Sequence, residues 1–214
     1  MPHPGPSQSQ VRTAIGNCDH VETMAKRVQI GEDLLTSCFE QEDRGETPDW
    51  ELVRGLPGIR LEPMCWDEAS ALIADGTLTS LAKLGRLPSD TRKYRKFRSE
   101  HILATYASVT DYLYASVFNL ECKTKDEKLI AVVPDDFRTK ERIDFPYAFK
   151  HGIEHHVLWS SLPLDHDKII IEATARRDSQ QGWELIYFIN PPVLKSVPAI
   201  WHAHIISRKI VVDV

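Results

Sequence analysis

Cysteines are few in this sequence and long apolar runs are missing, and both features exclude whole classes of protein. Cys18, Cys38, Cys65 and Cys122 form no C-x-x-C pair, which argues against a zinc ribbon or a disulfide framework and favours reduced thiols. No segment reaches the roughly 18 to 20 apolar residues needed to cross a bilayer. The N-terminus MPHPGPSQSQ lacks the basic and apolar regions of a signal peptide. We therefore expect a cytosolic protein without a membrane partner.

The composition predicts one folded domain of mixed secondary structure. The 214 residues are 42% hydrophobic and 27% charged, enough to bury a sizeable core. Residues 1–12 are rich in Pro, Ser and Gln and predict a flexible tail, which leaves residues 13–214 as a single domain. Helical patterns dominate the N-terminal half and strand-like segments the C-terminal half. The predicted fold class is α+β, with the helical N-terminal half packed on a mostly antiparallel sheet.

Local sequence patterns predict where the helices and strands lie. Residues 17–42 have a helical pattern, and a short helix from about Asp67 is followed by a break at Gly76 and a second short helix. An apolar stripe at spacings of three and four predicts one long helix that starts after the Pro-Ser-Asp signal at residues 88–90 and runs to Val117. Segments rich in Val, Ile, Trp and Tyr predict strands in EKLIAVVPDD, GIEHHVLWSSLPL, WELIYFIN and AIWHAHIISRKIVVDV. The segment DKIIIEATARRDSQQG suits a helix, although its opening isoleucines suit a strand equally.

A basic run lies near the start of the predicted long helix. The segment RKYRKFR carries five positive charges in seven residues: Arg92, Lys93, Arg95, Lys96 and Arg98. In the first turns of a helix the macrodipole disfavours each cation by a few tenths of a kcal/mol, so helix stability alone does not explain the run. A polyanion explains it, because phosphates neutralise such a cluster and release counterions. A solvated helix face is the alternative interpretation.

Two histidines with one residue between them lie near the C-terminal end of the sequence. In SVPAIWHAHIISRK, strand alternation points His202 and His204 to the same side, beside Ile200 and Ile206. In GIEHHVLW the same alternation separates Glu154 and His156 from His155. If the two strands are neighbours, three imidazoles, alone or with Glu154, form one cluster that would suit zinc. Two hydrogen-bonded core side chains are the simpler interpretation.

Two other chemistries fit the sequence less well. A histidine-triad hydrolase needs H-x-H-x-H, and Ile206 occupies the third position. A serine nucleophile needs a positioned base, and Ser108 or Ser196 would meet a histidine only through the tertiary fold. A local hydrogen bond to the backbone is the simpler role for both serines.

Three blocks of the sequence resemble a known family. They are the segment from CWDEASALIADG to ASVTDYL, the block DFPYAFKHGIEHHVLWSSLPL, and LKSVPAIWHAHIISR. In this order they resemble the fungal family named after an N-acetylglucosamine-induced protein, over roughly residues 65 to 208. Family members commonly carry W-F-K-N-W where this chain reads IYFINPP, so no role is carried over from that loop.

One branch of that family comprises arginine-containing cyclodipeptide synthases, and the resemblance implies their activity here. Such an enzyme joins an arginyl group from Arg-tRNA to a second aminoacyl group and releases an arginine-containing diketopiperazine. Its partners would be two aminoacyl-tRNAs. The tRNA-binding candidates are Lys83, Arg86, Arg92, Lys93, Arg95, Lys96 and Arg98.

The chemistry implied by the resemblance needs a base and an oxyanion donor but no cofactor and no metal, because an aminoacyl ester is already activated. The catalytic candidates are His202, His204, Glu154, His156, Ser108 and Tyr106. Either His202 or His204 would serve as the base, with the other imidazole or Tyr106 as the donor, and Ser108 as the nucleophile if an aminoacyl-enzyme forms. The substrate-binding candidates are Trp159, Asp144 and Asp111, and the carboxylate for the guanidinium would be Glu154, Asp144 or Asp111. The alternative is a non-catalytic regulatory or binding protein of the same family with structural histidines.

Overall fold

Helices occupy the N-terminal half of the chain and antiparallel strands the C-terminal half, so the predicted α+β class is confirmed. The structure is a computed structural model and describes residues 18–134, 140–142, 146–175 and 182–210. The tail predicted for residues 1–12 lies outside these ranges. Within the described residues, no helix is both long enough and apolar enough to span a bilayer.

Seven α-helices are described, three of them near the positions predicted from the first half of the sequence. They are α1 (Cys18–Asp43), α2 (Trp66–Asp75), α3 (Leu78–Leu81), α4 (Pro88–Phe97), α5 (Leu103–Thr105), α6 (Val109–Ser116) and α7 (His166–Ala175). A π-helical segment, Arg98–Ile102, joins α4 to α5. The predicted break at Gly76 is confirmed, because this residue ends α2 with a left-handed backbone (φ 61°).

Six strands in the described ranges form two antiparallel sheets. They are β1 (Cys122–Lys125), β2 (Lys128–Ala131), β3 (Lys140–Arg142), β4 (Ile153–Ser160), β5 (Trp183–Phe188) and β6 (Trp201–Lys209). The first two pair as a hairpin, and the other four form a sheet in the order β3-β4-β6-β5. All four predicted strands are present, whereas β1 and β3 were not predicted. The central strands, β4 and β6, carry the histidines.

The chain divides into two compact units. The first consists of the described residues up to Asp90, with Tyr147–His151 and Asn190–Lys195. Its core joins α1 to the segment that follows, through Leu35, Phe39, Val53 and Ile59. The second unit holds the remaining described residues, including both sheets. The single domain expected for residues 13–214 stays a prediction.

Helices cover both faces of the four-stranded sheet in the second unit. On one face Leu113 and Val117, in and just after α6, pack with Trp159 of β4. On the other, Ile169 and Ala173 of α7 pack against β4 and β6. Burial on both faces explains the nearly continuous apolar runs of the central strands.

The isoleucine-rich segment after β4 is a helix, which resolves the ambiguity left by its sequence. Asp165 precedes α7, and its carboxylate accepts a hydrogen bond from the backbone N–H of Lys168 at 2.9 Å. This hydrogen bond, with the side chain of the same lysine, holds the pKa of Asp165 below its usual value. Such a cap satisfies an N–H that has no partner within the helix, and a strand would gain nothing from it.

Candidate functional site

Three histidines share one face of the sheet formed by β4 and β6. In the antiparallel register Val157 lies opposite His204, Trp159 opposite His202, and His155 opposite Ile206. Residues opposite each other in neighbouring strands point to the same face, so His155, His202 and His204 converge there. We call these three residues the histidine cluster. The alternation predicted for both strands is confirmed.

A hydrogen bond joins two members of the cluster. The Nε2 atom of His155 lies 2.9 Å from the Nδ1 atom of His204. The ring centroids are 5.1 Å apart and the planes differ by 22°. Because the nitrogens are much closer than the centroids, the rings meet edge to edge, in the direction of a nitrogen lone pair. One ring must accept this bond, so at least one of the two imidazoles is neutral.

The third histidine is held by the backbone. His202 Nδ1 lies 2.9 Å from the carbonyl oxygen of Ile200. A carbonyl only accepts hydrogen bonds, so Nδ1 carries the proton and donates it. In a neutral imidazole the other nitrogen, Nε2, then has the lone pair. This is the protonation pattern of a general base.

Aromatic rings enclose the cluster. The indole of Trp159 lies 4.6 Å from the His202 ring, between centroids, and the Phe188 ring stacks on His204 at 4.6 Å with only 6° between the planes. The exposed fractions of His155, His202 and His204 are 4%, 3% and 5%. Rings packed this tightly keep fixed orientations, which suits both catalysis and a purely structural role. The structure thus places the substrate-binding candidate Trp159 beside the imidazoles.

Two catalytic candidates do not join the cluster. Glu154 and His156 lie opposite Ser207 and Ile205, on the other face of the sheet, where Glu154 Oε2 is 3.2 Å from His156 Nε2. The grouping of Glu154 and His156 with His202 and His204 is therefore corrected. The residue that belongs in their place is His155. Its alternation relative to His156 was the signal that could have identified it, once β4 and β6 were known to be neighbours.

The other two catalytic candidates lie at a break in the predicted long helix. Tyr106 has an extended backbone and pairs with Leu129 of β2, while the N–H of Ala107 donates to the carbonyl of Leu129 at 3.0 Å. Lys128 Nζ donates to two carbonyls of α5, those of Leu103 and Ala104, at 2.8 Å each. The continuous helix predicted from Pro88 to Val117 is wrong, because pairing with β2 replaces helical hydrogen bonds at this point.

Ser108 begins the next helix. Its Oγ accepts a hydrogen bond from the N–H of Asp111 at 3.1 Å and donates one to Asp111 Oδ2 at 2.6 Å. The other carboxylate oxygen of Asp111 accepts the N–H of Ala131 at 3.0 Å. Both residues thus have a structural explanation as a capping pair for α6. Their proposed roles, nucleophile for Ser108 and guanidinium partner for Asp111, stay predictions.

Two substitutions of Ser108 distinguish its role as a helix cap from a role as a nucleophile. Ser108→Ala removes the cap and is expected to lower the free energy of unfolding by about 1 kcal/mol, whereas Ser108→Asn retains a capping oxygen and should cost much less. Urea denaturation of the purified variants measures both values. If Ser108 is only a cap, the Asn variant keeps the function of the protein. A nucleophile would be lost in both variants, and full inactivity of a stable Asn variant would contradict the cap as its only role.

The basic run begins in the second turn of α4. Helix α4 begins at Pro88, its first turn contains Asp90, and its last turn contains Arg95 and Lys96. The run begins after the first turn of α4 and continues into the π-helical segment that joins α4 to α5. The unfavourable effect of the helix dipole is largest in the first turn, so it bears on this run less than the sequence-based argument assumed. The exposed side chains of the run are those of Lys93, Lys96 and Arg98, and Lys96 Nζ is 4.0 Å from Glu100 Oε1.

The remaining predicted binding residues do not all belong to the same compact unit. Lys83 and Arg86 belong to the first compact unit and the basic run to the second. The guanidinium of Arg86 lies 5.1 Å from the centre of the Tyr147 ring. Asp144 lies outside the described residues. Among the residues that the structure describes, no group of three or more His, Cys, Asp or Glu side chains is arranged to hold a metal ion.

Comparisons with known proteins relate this chain to a family of unknown function. A family model described as "Protein of unknown function (DUF3605)" matches residues 65–208. An uncharacterized protein of Saccharomyces cerevisiae, YPL067C, is 35% identical over 78 aligned residues, which cover 29% of this chain and only 39% of the yeast protein. A crystal structure of HTC1 matches with a TM-score of 0.45 and 22% identity, over 67% of this chain and 84% of that one.

Proposed function

This chain belongs to the DUF3605 family, and from that premise we propose that it is a tRNA-dependent, arginine-containing cyclodipeptide synthase. The proposal rests on the motifs that resemble this branch of the fungal family and on one observation in the site. That observation is the hydrogen bond from His202 Nδ1 to the carbonyl of Ile200, which places the proton of a neutral ring on Nδ1 and the lone pair on Nε2.

The proposed reaction requires a base at one defined step. The α-amine of one aminoacyl group attacks the ester carbonyl of the other, so that a C–N bond forms and the carbonyl oxygen becomes an oxyanion. His202 accepts the proton released by the amine. When the ester C–O bond breaks, the proton returns to the departing tRNA hydroxyl. The new terminal amine then attacks the remaining ester in the same way, which closes the ring and releases the second tRNA.

The oxyanion requires a donor close to the base. His204 lies two positions along the strand from His202 on the same face, with the ring centroids 5.5 Å apart and the planes at 72°. One ring can then exchange the amine proton while the other donates to the oxyanion. No nucleotide or metal takes part in this scheme. The proposed location is the cytosol, where charged tRNAs are available.

The tRNA contact is assigned to the basic run on α4 and the π-helical segment. Its support is the density of positive charge, with five cations between Arg92 and Arg98, and not an unfavourable position in the helix. Contacts to phosphates need no particular RNA-binding module, since they depend on charge and shape.

Charge reversal on this surface is expected to weaken tRNA binding. The double variant Lys93→Glu, Lys96→Glu should lower the affinity and reduce the slope of log K against log salt by about 2, one for each phosphate that is no longer neutralised. The double variant Lys123→Glu, Lys125→Glu is the matched control, because it changes the same charges at exposed sites on the β1–β2 hairpin. Filter binding of Arg-tRNA at several salt concentrations measures both. Equal losses of affinity in the two variants would contradict a specific basic surface.

Burial of the histidines favours a second candidate function. At 3–5% exposure the cluster resembles a set of satisfied core side chains, and the protein would then be a non-catalytic binding or regulatory member of the family. In that case the histidines contribute only to the stability of the fold. Their replacement would lower stability without a separate effect on activity.

Expression with charged tRNAs distinguishes the two candidates. A bacterial host that produces this chain should accumulate an arginine-containing diketopiperazine detectable by mass spectrometry, and the purified protein should form it from Arg-tRNA and a second aminoacyl-tRNA. A host with the empty vector controls for background. If wild-type protein that is folded by circular dichroism forms no such product with any charged tRNA, the synthase proposal fails and the binding protein is favoured.

A further inference from the structure

The hydrogen bond between His155 and His204 gives His155 a role that the sequence did not suggest. Resting on the proposed function, we infer that His155 is a positioning residue that selects the tautomer of His204. Its Nε2–H donates to Nδ1 of His204, so that Nε2 of a neutral His204 carries the proton, as an oxyanion donor requires. His155 itself does not contact the substrate.

Two arrangements of the proton are compatible with the 2.9 Å distance between the nitrogens. If His155 donates, His204 accepts at Nδ1 and is neutral with its proton on Nε2. If His204 donates, its proton lies on Nδ1, and a neutral His204 then has its lone pair on Nε2. The direction of this one bond therefore decides whether Nε2 of His204 is a donor or an acceptor.

The first arrangement makes the two neighbouring histidines complementary. His202 is held with its proton on Nδ1 by the carbonyl of Ile200, so Nε2 of its neutral ring is an acceptor. Acyl transfer needs one acceptor, for the amine proton, and one donor, for the oxyanion. With His204 in the opposite tautomer to His202, the pair provides both. With the same tautomer in both rings, the pair would provide two acceptors.

The geometry holds His155 in the orientation that this role requires. The rings of His155 and His204 meet edge to edge, with 22° between their planes. The Phe188 ring stacks on His204 nearly in parallel, which limits its rotation. His155 is 4% exposed, so water competes little for the bond. A second imidazole behind a functional histidine orients it as a carboxylate or carbonyl does in other sites.

Nitrogen-15 spectroscopy of the wild-type protein tests the inference without any assay of activity. Long-range proton–nitrogen spectra at pH 7 distinguish Nδ1–H from Nε2–H imidazoles. We expect His204 as the Nε2–H tautomer and His202 as the Nδ1–H tautomer. A wild-type His204 found as the Nδ1–H tautomer would overturn the inference.

Variants of His155 test the dependence of His204 on its neighbour. His155→Phe fills a similar volume but cannot donate, so the fraction of His204 in the Nε2–H form should fall. His155→Gln places an amide N–H near the original Nε2 and should restore the Nε2–H form. His151→Phe is the control, because His151 is exposed and lies outside the cluster. An unchanged His204 tautomer in folded His155→Phe would also overturn the inference.

Kinetics of the same variants add a second test. With Arg-tRNA as substrate, His155→Phe should lower kcat by about 10 to 100-fold, the range for partners that orient a functional imidazole, with KM nearly unchanged. His155→Gln should recover most of kcat. A change in KM alone would argue against positioning. If wild-type protein forms no product while the tautomer still depends on His155, the proposed function fails and the assignment of the hydrogen bond stands.

Discussion

His202→Asn is expected to reduce diketopiperazine formation by about 10²- to 10⁴-fold, the usual contribution of a general base. The asparagine amide can replace Nδ1–H as the donor to the carbonyl of Ile200, so the buried carbonyl keeps a partner. What the variant lacks is a nitrogen with a lone pair at the position of Nε2. The measurement is the rate of product formation by purified protein with charged tRNAs.

The choice of asparagine separates catalysis from folding. His202→Leu leaves the carbonyl of Ile200 without this donor and should be less stable than the Asn variant by about 1 to 3 kcal/mol, the cost of a buried unsatisfied group. His151→Asn is the control at an exposed histidine. If folded His202→Asn retains product formation within a factor of about three of wild type, a range below any general-base effect, His202 is not the base.

Ile169→Ala is expected to lower the free energy of unfolding by about 2 to 5 kcal/mol, because it removes a buried side chain and leaves a cavity. Ile169 is 1% exposed and packs with Leu158, Ala203 and Ile205 on the face of the sheet opposite the histidine cluster. In a protein of this size, each kcal/mol lowers Tm by roughly 2–4 °C. Urea and thermal denaturation followed by circular dichroism measure the effect.

Ile171→Ala provides a control on the same helix. Ile171 is 64% exposed, so the substitution deletes the same atoms and changes helix propensity by the same amount without leaving a cavity. We expect a change within about 0.5 kcal/mol, as for other surface substitutions. Similar destabilisation by the two variants would mean that α7 does not pack on the sheet as described.

The strand that carries His155 and His156 shows what the alternation of residues could predict and what it could not. Alternation correctly separated the two histidines and correctly paired His202 with His204, because side chains in a strand point to opposite faces with a period of two. The pattern contained no information on which strands are neighbours. For that reason His156, which lies on the other face, was predicted in the site where His155 is found.

In the region from Pro88 to Val117 the sequence pattern failed to predict where a helix ends. Its apolar stripe predicted one helix, yet the chain leaves the helix at Tyr106 and begins another after Ser108. The Ser108-x-x-Asp111 pattern is a capping signal that was readable in the sequence. The contribution of β2, through Leu129 and Lys128, was not readable, since it depends on contacts between distant parts of the chain.

Local periodicity, together with capping and turn residues, was enough to predict the α+β class, the positions of most elements and the face on which each strand residue lies. The folded chain was needed to show that β4 and β6 are neighbours, that His155 bonds to His204, and that the basic run continues from α4 into the π-helical segment. These features depend on hydrogen bonds between residues far apart in the chain and on where each helix begins and ends. A pattern confined to one segment does not contain that information.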